Sequence, residues 1–453
     1  LSTVIQLPER PSLEQLKKRA REVARDEGVK LTEAQLRIAR MYGFASWPKL
    51  KAHVEMVTAL TREPDEARSE DDFLALVCLT YGDDAPAFRS RGLDMLLDNP
   101  ATATRDIWAA AATASTDAVR GFAANAAEQG GPFAWEPLMY LCYSRVPSSE
   151  AGVLDTARVL LDAGADPNVG YLWHGLPTPF TALTGVFGGG EANQPPHEHS
   201  PALARLLLER GANANDAQAL YNRQFRPGTE HLELLFDYGL GQGDGGPWRA
   251  RLGAQMESPV EMLQHQLRWA IQHNMLDRVR LFAERGVDLN TRFAQRLWPI
   301  ADGRTPAEFA LLCGHGAIVD ELAKYGALAP ELDAVDQFVA AVMAGEEPAG
   351  DGAAARERRP SLVVQATAAG RYEAVRIAVE HGFDVNALGR ADAPVEQPWQ
   401  TALHTAVERN LADMVRFLLD LGADPSIEDA RFHATPKQWA EHFGYTDFDA
   451  LLP

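Results

Sequence analysis

Cysteine is scarce in this chain: Cys78, Cys142 and Cys313 are all there are among 453 residues. Isolated and odd in number, they argue against a disulfide framework and for a reducing compartment. Long apolar runs are missing as well, and none approaches the roughly 18 to 20 residues that cross a bilayer. Leu1 to Arg10 has no basic stretch leading into an apolar one, so no secretory signal is read there. The expectation is a cytoplasmic chain with no membrane partner. Positive charge is also short, with 43 Lys and Arg against 63 Asp and Glu and a net charge of −20. An acidic body repels phosphate backbones, which argues against nucleic-acid binding by the whole molecule. The balance is uneven, however. Residues 1–60 carry +4, which leaves −24 on the remainder, and that asymmetry suggests segments with different roles.

What the chain does have is an internal repeat. One phrase recurs: a short amphipathic helix ending in Gly, then a small residue, then Asp or Asn, then Asn. It reads LLDAGADPN at 160–168, LLERGANAN at 207–215, FAERGVDLN at 282–290, AVEHGFDVN at 378–386 and LLDLGADPS at 418–426, with weaker copies at 235–240 and 322–327. Glycine can take the left-handed conformation that stops a helix sharply. The Asp or Asn after it suits a tight turn by bonding its own backbone. A second phrase opens the other helix of each unit: TALTGVF at 181–187, TPAEFALLCGHG at 305–316, TALHTAVERN at 401–410 and TPKQWAEHFG at 435–444. Thr is a good N-cap, and Pro is tolerated at the first helical position.

These phrases resemble the ankyrin-repeat family. Thr401-Ala402-Leu403-His404 is similar to its Thr-Pro-Leu-His opening, and Gly422-Ala423-Asp424 to its Gly-Ala-Asp close. The resemblance is strongest at 155–168, 201–215, 305–327 and 401–426, and extends more degenerately over 71–452. It implies an all-α solenoid of about ten irregular helix-turn-helix units with long finger loops. The spacing is uneven. The glycines at 164, 211, 239, 286, 326, 382 and 422 are separated by 47, 28, 47, 40, 56 and 40 residues, against a family period of about 33. The widest gap hides a degenerate unit with a helix over 332–344, a poor second helix and a turn at Pro360-Ser361. With the Gly/Ala-rich run AGDGAAARERR, this predicts a soft point at 345–360.

Residues 1–60 read as a separate helical segment, with helices over 12–27, 32–42 and 46–60 and breaks at Gly28 and Gly43. They resemble the leading segment of some bacterial ankyrin-repeat proteins, which implies a helical cap over the open face of the first repeat. The phrase LTEAQLRIARMYGFASWPKLKAHV at 31–54 also has a helix-turn-helix look, and with the local +4 it keeps a DNA-tethering reading open.

Signatures of chemistry are few. Gly188-Gly189-Gly190 has no following Lys-Ser/Thr and so lacks the charge of a phosphate loop; it reads as a flexible helix end. His197-Glu198-His199 follows Pro195-Pro196 and reads as a polar loop rather than a zinc site, which needs three or four fixed ligands. Cys313-Gly314-His315 falls at the turn between two helices with no legible oxyanion site. Asp83-Asp84 reads as a solvated turn. His404, in the opening phrase, reads as a structural histidine bonding neighbouring backbone. No catalytic residue, metal or cofactor is expected.

The long insertions exceed what a scaffold needs, and they carry large aromatics: Tyr171, Trp173 and His174 in one, Trp298 in another, Trp399 in a third, and Trp248 in the stretch LGQGDGGPW. Trp and Tyr anchor binding surfaces, or each ring folds back as a local lid. The leading expectation is an intracellular scaffold that binds a basic or neutral protein partner through its concave face and these fingers. Two alternatives stand beside it. One is a small-molecule binder or enzyme with a pocket between fingers and inner helices, drawing on His174, His197 and His199. The other is the DNA tether.

Overall fold

A computed structural model describes residues 7–8, 10–67, 69, 71–82, 84–294, 301, 303–350, 352–390 and 398–452. The chain divides into two compact units, Leu1–Leu263 and Gln264–Pro453, the division falling within the helix Pro259–Gln272.

The first unit opens with three helices, Leu13–Asp26, Leu31–Met41 and Trp47–Leu60. Ser12 and Ser46 cap the first and third by accepting backbone N–H groups. Leu16, Ala20, Ile38, Ala39, Tyr42, Leu50 and Val54 give this segment a core of its own. Helix pairs follow. Ile107–Ala112, Pro137–Tyr143, Ala182–Phe187 and Ala217–Gln224 pack on one another in chain order. Every residue of Pro137–Tyr143 and of Ala182–Phe187 is buried, as expected of a short helix apolar on all sides and sandwiched between neighbours. Their outer partners, such as Glu150–Asp162 and Ser200–Glu209, bury one face only.

The second unit repeats this plan. The pairs are Pro306–Leu312 with Gly316–Lys324, Ala334–Ala344 with Ala353–Arg358, Leu362–Ala368 with Tyr372–Glu380, and Ala402–Glu408 with Ala412–Asp420, and Pro436–Phe443 packs on the last. The degenerate unit is present, and its second helix is indeed poor, six residues long. Arg358 and Arg359, at the end of the 345–360 stretch, join a charge cluster. The Asp336 side chain is fully buried and lies against Arg304, Arg358 (2.7 Å) and Arg359 (3.6 Å), while Asp333 pairs with Arg358 at 2.7 Å.

Both recurring phrases do what their chemistry dictates. Thr181, Thr305, Thr401 and Thr435 each close a capping box with the side chain three residues on. The seven phrase glycines have φ between +75° and +99°, the left-handed conformation that ends each helix. Asp166, Asp288, Asp384 and Asp424 each accept the N–H two residues on at 2.8 Å. The closing Asn does something further: it reaches the equivalent turn of the next unit. Asn168 donates to Gly211 O and accepts from Asn213 N, and Asn290 donates to Gly326 O and accepts from Leu328 N.

One feature departs from an all-helical plan. The insertion after Asn168 forms a hairpin, Gly170–Trp173 antiparallel to Pro179–Thr181, and the strand Thr61–Arg62 adds to its edge in parallel, Thr61 opposite Leu172 and Arg62 opposite Trp173. The exit of the three-helix segment is thus hydrogen-bonded to a finger. Gln255 also ties that segment down, donating to Tyr42 O at 3.1 Å.

Candidate functional site

The 170–181 finger joins the acidic link between Leu60 and Phe73, and the densest cluster of ionisable side chains in this region forms there. Alternation along the strand turns Tyr171 inward. Its ring stacks on Trp135 and Phe180, and burial pushes its hydroxyl well above the usual range. Trp173 and His174 lie at the rim. Trp173 Nε1 donates to Asp65 at 3.1 Å. Arg10 donates to His174 Nδ1, so His174 Nε2 carries the proton and donates to the other Asp65 oxygen at 3.1 Å. The Arg10 guanidinium also meets Glu63 at 3.0 Å and Glu66, and its backbone N–H donates to His174 O at 3.0 Å. Arg10 and His174 both have positive φ, 51° and 49°, an unfavourable backbone that these bonds must hold in place. Beside them runs an open groove of about 640 Å³ lined by Arg10, Val57, Glu63, Glu66 and Phe133, among others.

Glu63, Glu66 and His174 place one ligand atom each within 4.8 Å of one another, the one such grouping of three His, Cys, Asp or Glu among the described residues. Arg10 supplies its positive charge.

The other aromatic fingers lie elsewhere. Trp248 is buried, 4% exposed, and donates to Asn168 O at 2.9 Å. Trp399, in the second unit, packs on Trp439 and Phe432 with Arg390 and Arg431 over its ring at 4.9 and 5.4 Å. Trp298 lies outside the described residues. Tyr171, Trp173 and His174 therefore come together, and Trp248 and Trp399 each have separate surroundings.

The remaining candidates are absorbed by structure. His197 is buried and pushed down to about 3 by burial and Arg145; its Nδ1 accepts His199 N–H, and His199 Nε2 donates to Ser148 O at 2.7 Å. The glycine run is a packed corner rather than a flexible end. The Gly188, Gly189 and Gly190 N–H groups donate to Thr184, Gln194 and Asn222 carbonyls, which leaves none for a phosphate. Burial pushes the Cys313 thiol up to about 12, and burial with Arg371 pushes His315 down to about 4. No thiolate–imidazolium pair forms from such groups. Asp84 is not solvated: it is buried and accepts from Thr80 and Tyr81 N–H, and Asp83 lies outside the described residues. His404 is structural, accepting from Thr401 and donating through Nε2 to Ala434 O at 2.9 Å. In the leading segment, Lys17, Arg25, Arg37 and Lys51 are each paired with a nearby acid.

Residues 333–429 match the family model for ankyrin repeats in three copies. Ankyrin repeats are thus matched over this C-terminal segment. A stretch of 68 residues is 40% identical to the ankyrin repeat protein FPV219 of Fowlpox virus (strain NVSL), covering 15% of this chain and 14% of that protein. Ankyrin repeats are generally protein–protein interaction modules. Among the described residues, no helix is long and apolar enough to cross a membrane.

The Arg10 cradle was not foreseen from the sequence. Its acids stand in one short run, Glu63-Pro64-Asp65-Glu66, directly after the basic leading segment. That run was the available signal.

Proposed function

We propose that this ankyrin-repeat chain is an intracellular recognition scaffold whose N-terminal unit takes a basic segment of a protein partner in the groove beside the 170–181 finger. The observation that carries the reading is the seating of Arg10, a guanidinium held by Glu63, Glu66 and His174 at the edge of an open groove of about 640 Å³. Carboxylates matched to a planar guanidinium form strong, directional bonds. Arg10 and His174 are both partly exposed, so a second cation can reach the same acids. Val57 and Phe133 supply apolar wall for the rest of a side chain. The finger aromatics contribute rigidity: Tyr171 anchors the hairpin, and Trp173 fixes Asp65.

The test is fluorescence anisotropy of a labelled Gly-Arg-Gly-Arg-Gly-Arg peptide with the full chain. Binding is expected to weaken at least about tenfold in a Glu63→Gln, Glu66→Gln double variant, from loss of charge-assisted bonds. It is expected to strengthen in Arg10→Ala, which vacates the cradle. Peptide binding that neither variant alters would remove the groove from consideration.

A further inference from the structure

A second polar cavity, of about 80 Å³, lies within the C-terminal unit. It forms where the C-terminal ends of Pro259–Gln272, Pro306–Leu312, Ala334–Ala344, Leu362–Ala368 and Ala402–Glu408 line up. Its polar lining includes Gln272, His273, Cys313, His315, Gln365 and Arg409, and no Asp or Glu lines it. That is unusual in a body carrying −24.

Helix C-termini bear partial negative charge and attract cations. Arg371 serves that need, donating to Met343 O at 2.9 Å and to His315 Nδ1 at 2.7 Å. Two further donors remain. The exposed Arg409 side chain has no hydrogen bond or ion pair with any described residue, and Gln365 Nε2 is buried without a partner. A buried donor left unmatched costs about 1 to 3 kcal/mol, so an acceptor is called for. The cavity lining supplies no anion. The Cys313 thiol is pushed up to about 12, chiefly by burial. His273 and His315 are pushed down to about 4, by burial and by Arg409 and Arg371 respectively, so both imidazoles are neutral. His273 spends its Nδ1 proton on Trp269 O at 3.0 Å, and His315 spends its Nε2 proton on Gln272 O at 3.4 Å.

We propose that this cavity binds a single carboxylate group, held by the Arg409 guanidinium and the Gln365 side-chain amide. A planar, singly charged two-oxygen acceptor matches one guanidinium fork and one amide, and the cavity has room for a group of that size. The carboxylate belongs either to an aspartate or glutamate side chain of a protein partner or to a free small acid. The site is separate from the acidic groove of the N-terminal unit, so failure of one leaves the other standing.

Trifluoroacetate is the probe, followed by fluorine NMR line width with the full-length protein. Broadening is expected with wild type, and the affinity is expected to fall at least about tenfold in Arg409→Gln. Arg416→Gln, at a surface arginine paired with Asp413, is the matched control and should bind as wild type. Arg409→Lys should recover part of the loss, which separates charge from folding. Competition identifies the source. Displacement by the blocked peptide acetyl-Gly-Ser-Glu-Ser-Gly-amide at lower concentration than by acetate assigns a protein side chain, and the reverse order assigns a free acid. Equal broadening by wild type and Arg409→Gln, or displacement by inorganic phosphate but not by acetate, would overturn the assignment.

Discussion

Asn386 accepts the backbone N–H of Asp424 on its side-chain oxygen at 2.8 Å, across a separation of 38 residues. Its amide also donates to Gly422 O, so one side chain grips two backbone groups of the following turn. Asn168, Asn215 and Asn290 make the equivalent two-pronged contact with the unit that follows each of them. At the last copy of the phrase the position holds Ser426, whose N–H and hydroxyl both turn back to Asp424. In these four copies asparagine bridges to the turn that follows, because its amide offers a donor and an acceptor.

Asn386→Ala should therefore weaken one junction and leave the helices of each repeat intact. The expected loss is about 1 kcal/mol, the net value of partly exposed hydrogen bonds. Hydrogen exchange at the Asp424 amide should speed up several-fold, with little change inside Leu362–Ala368. Uniform loss of protection across the unit would contradict a local clamp.

The buried Asp336 carboxylate should matter far more than the exposed Asp333 carboxylate beside it. Removing one partner of a buried ion cluster costs about 3 to 5 kcal/mol, because the remaining charges stay desolvated. Asp336→Ala strands Arg304 and Arg359, while Arg358 keeps its two hydrogen bonds to Asp333; Asp333→Ala leaves the Asp336 carboxylate paired with all three arginines. Urea unfolding of the two variants, with hydrogen exchange over 353–358, measures the difference. Equal effects would mean that the cluster does not hold this stretch.

Much of the fold was legible because turns and caps are local. Gly164 and its counterparts, the Asp two residues later and Thr401 with its capping box depend on near neighbours in sequence, and periodicity exposes them. Asp336 was not legible, since its three arginines come from 304, 358 and 359 and nothing local pairs them. The site shows the same divide. Tyr171, Trp173 and His174 stood out by composition, but their partner Arg10 lies more than 160 residues earlier and meets them only because Thr61–Arg62 adds to the hairpin. Trp248 and Trp399 looked like Trp173 in sequence, because the identity of a loop residue does not reveal which way its ring folds.

Two glycines of positive φ should respond differently to the same change. Gly286, at +75°, has open space where a Cβ would stand, so Gly286→Ala meets only the backbone penalty of about 1 to 2 kcal/mol. Gly314, at +72°, would set its Cβ 2.2 Å from Met343 O, against backbone of the neighbouring pair. Gly314→Ala must shift that pair and should lower the melting temperature more than Gly286→Ala does. A smaller effect at Gly314 would show that the contact between these units yields readily.

The buried histidines set the response to acid. His197 is pushed down to about 3, and His273 and His315 to about 4, each mainly by burial, against an ordinary value near 6.5. Between those values and 6.5 the unfolded chain binds protons that the folded chain does not, so stability rises with pH through this window and is lost as pH falls. Asp216 acts in the opposite sense. Burial raises its carboxyl to about 6, so the folded state holds the extra proton and stability from this group declines as pH rises from about 4 to 6. The histidine contribution is isolated by comparing wild type with His197→Asn, whose side-chain oxygen can still accept the His199 N–H but does not titrate. The melting temperature of wild type should fall more steeply than that of the variant between pH 6.5 and 4, and the two curves should run parallel above pH 7. Parallel curves throughout would mean that His197 reaches solvent and protonates without unfolding the unit.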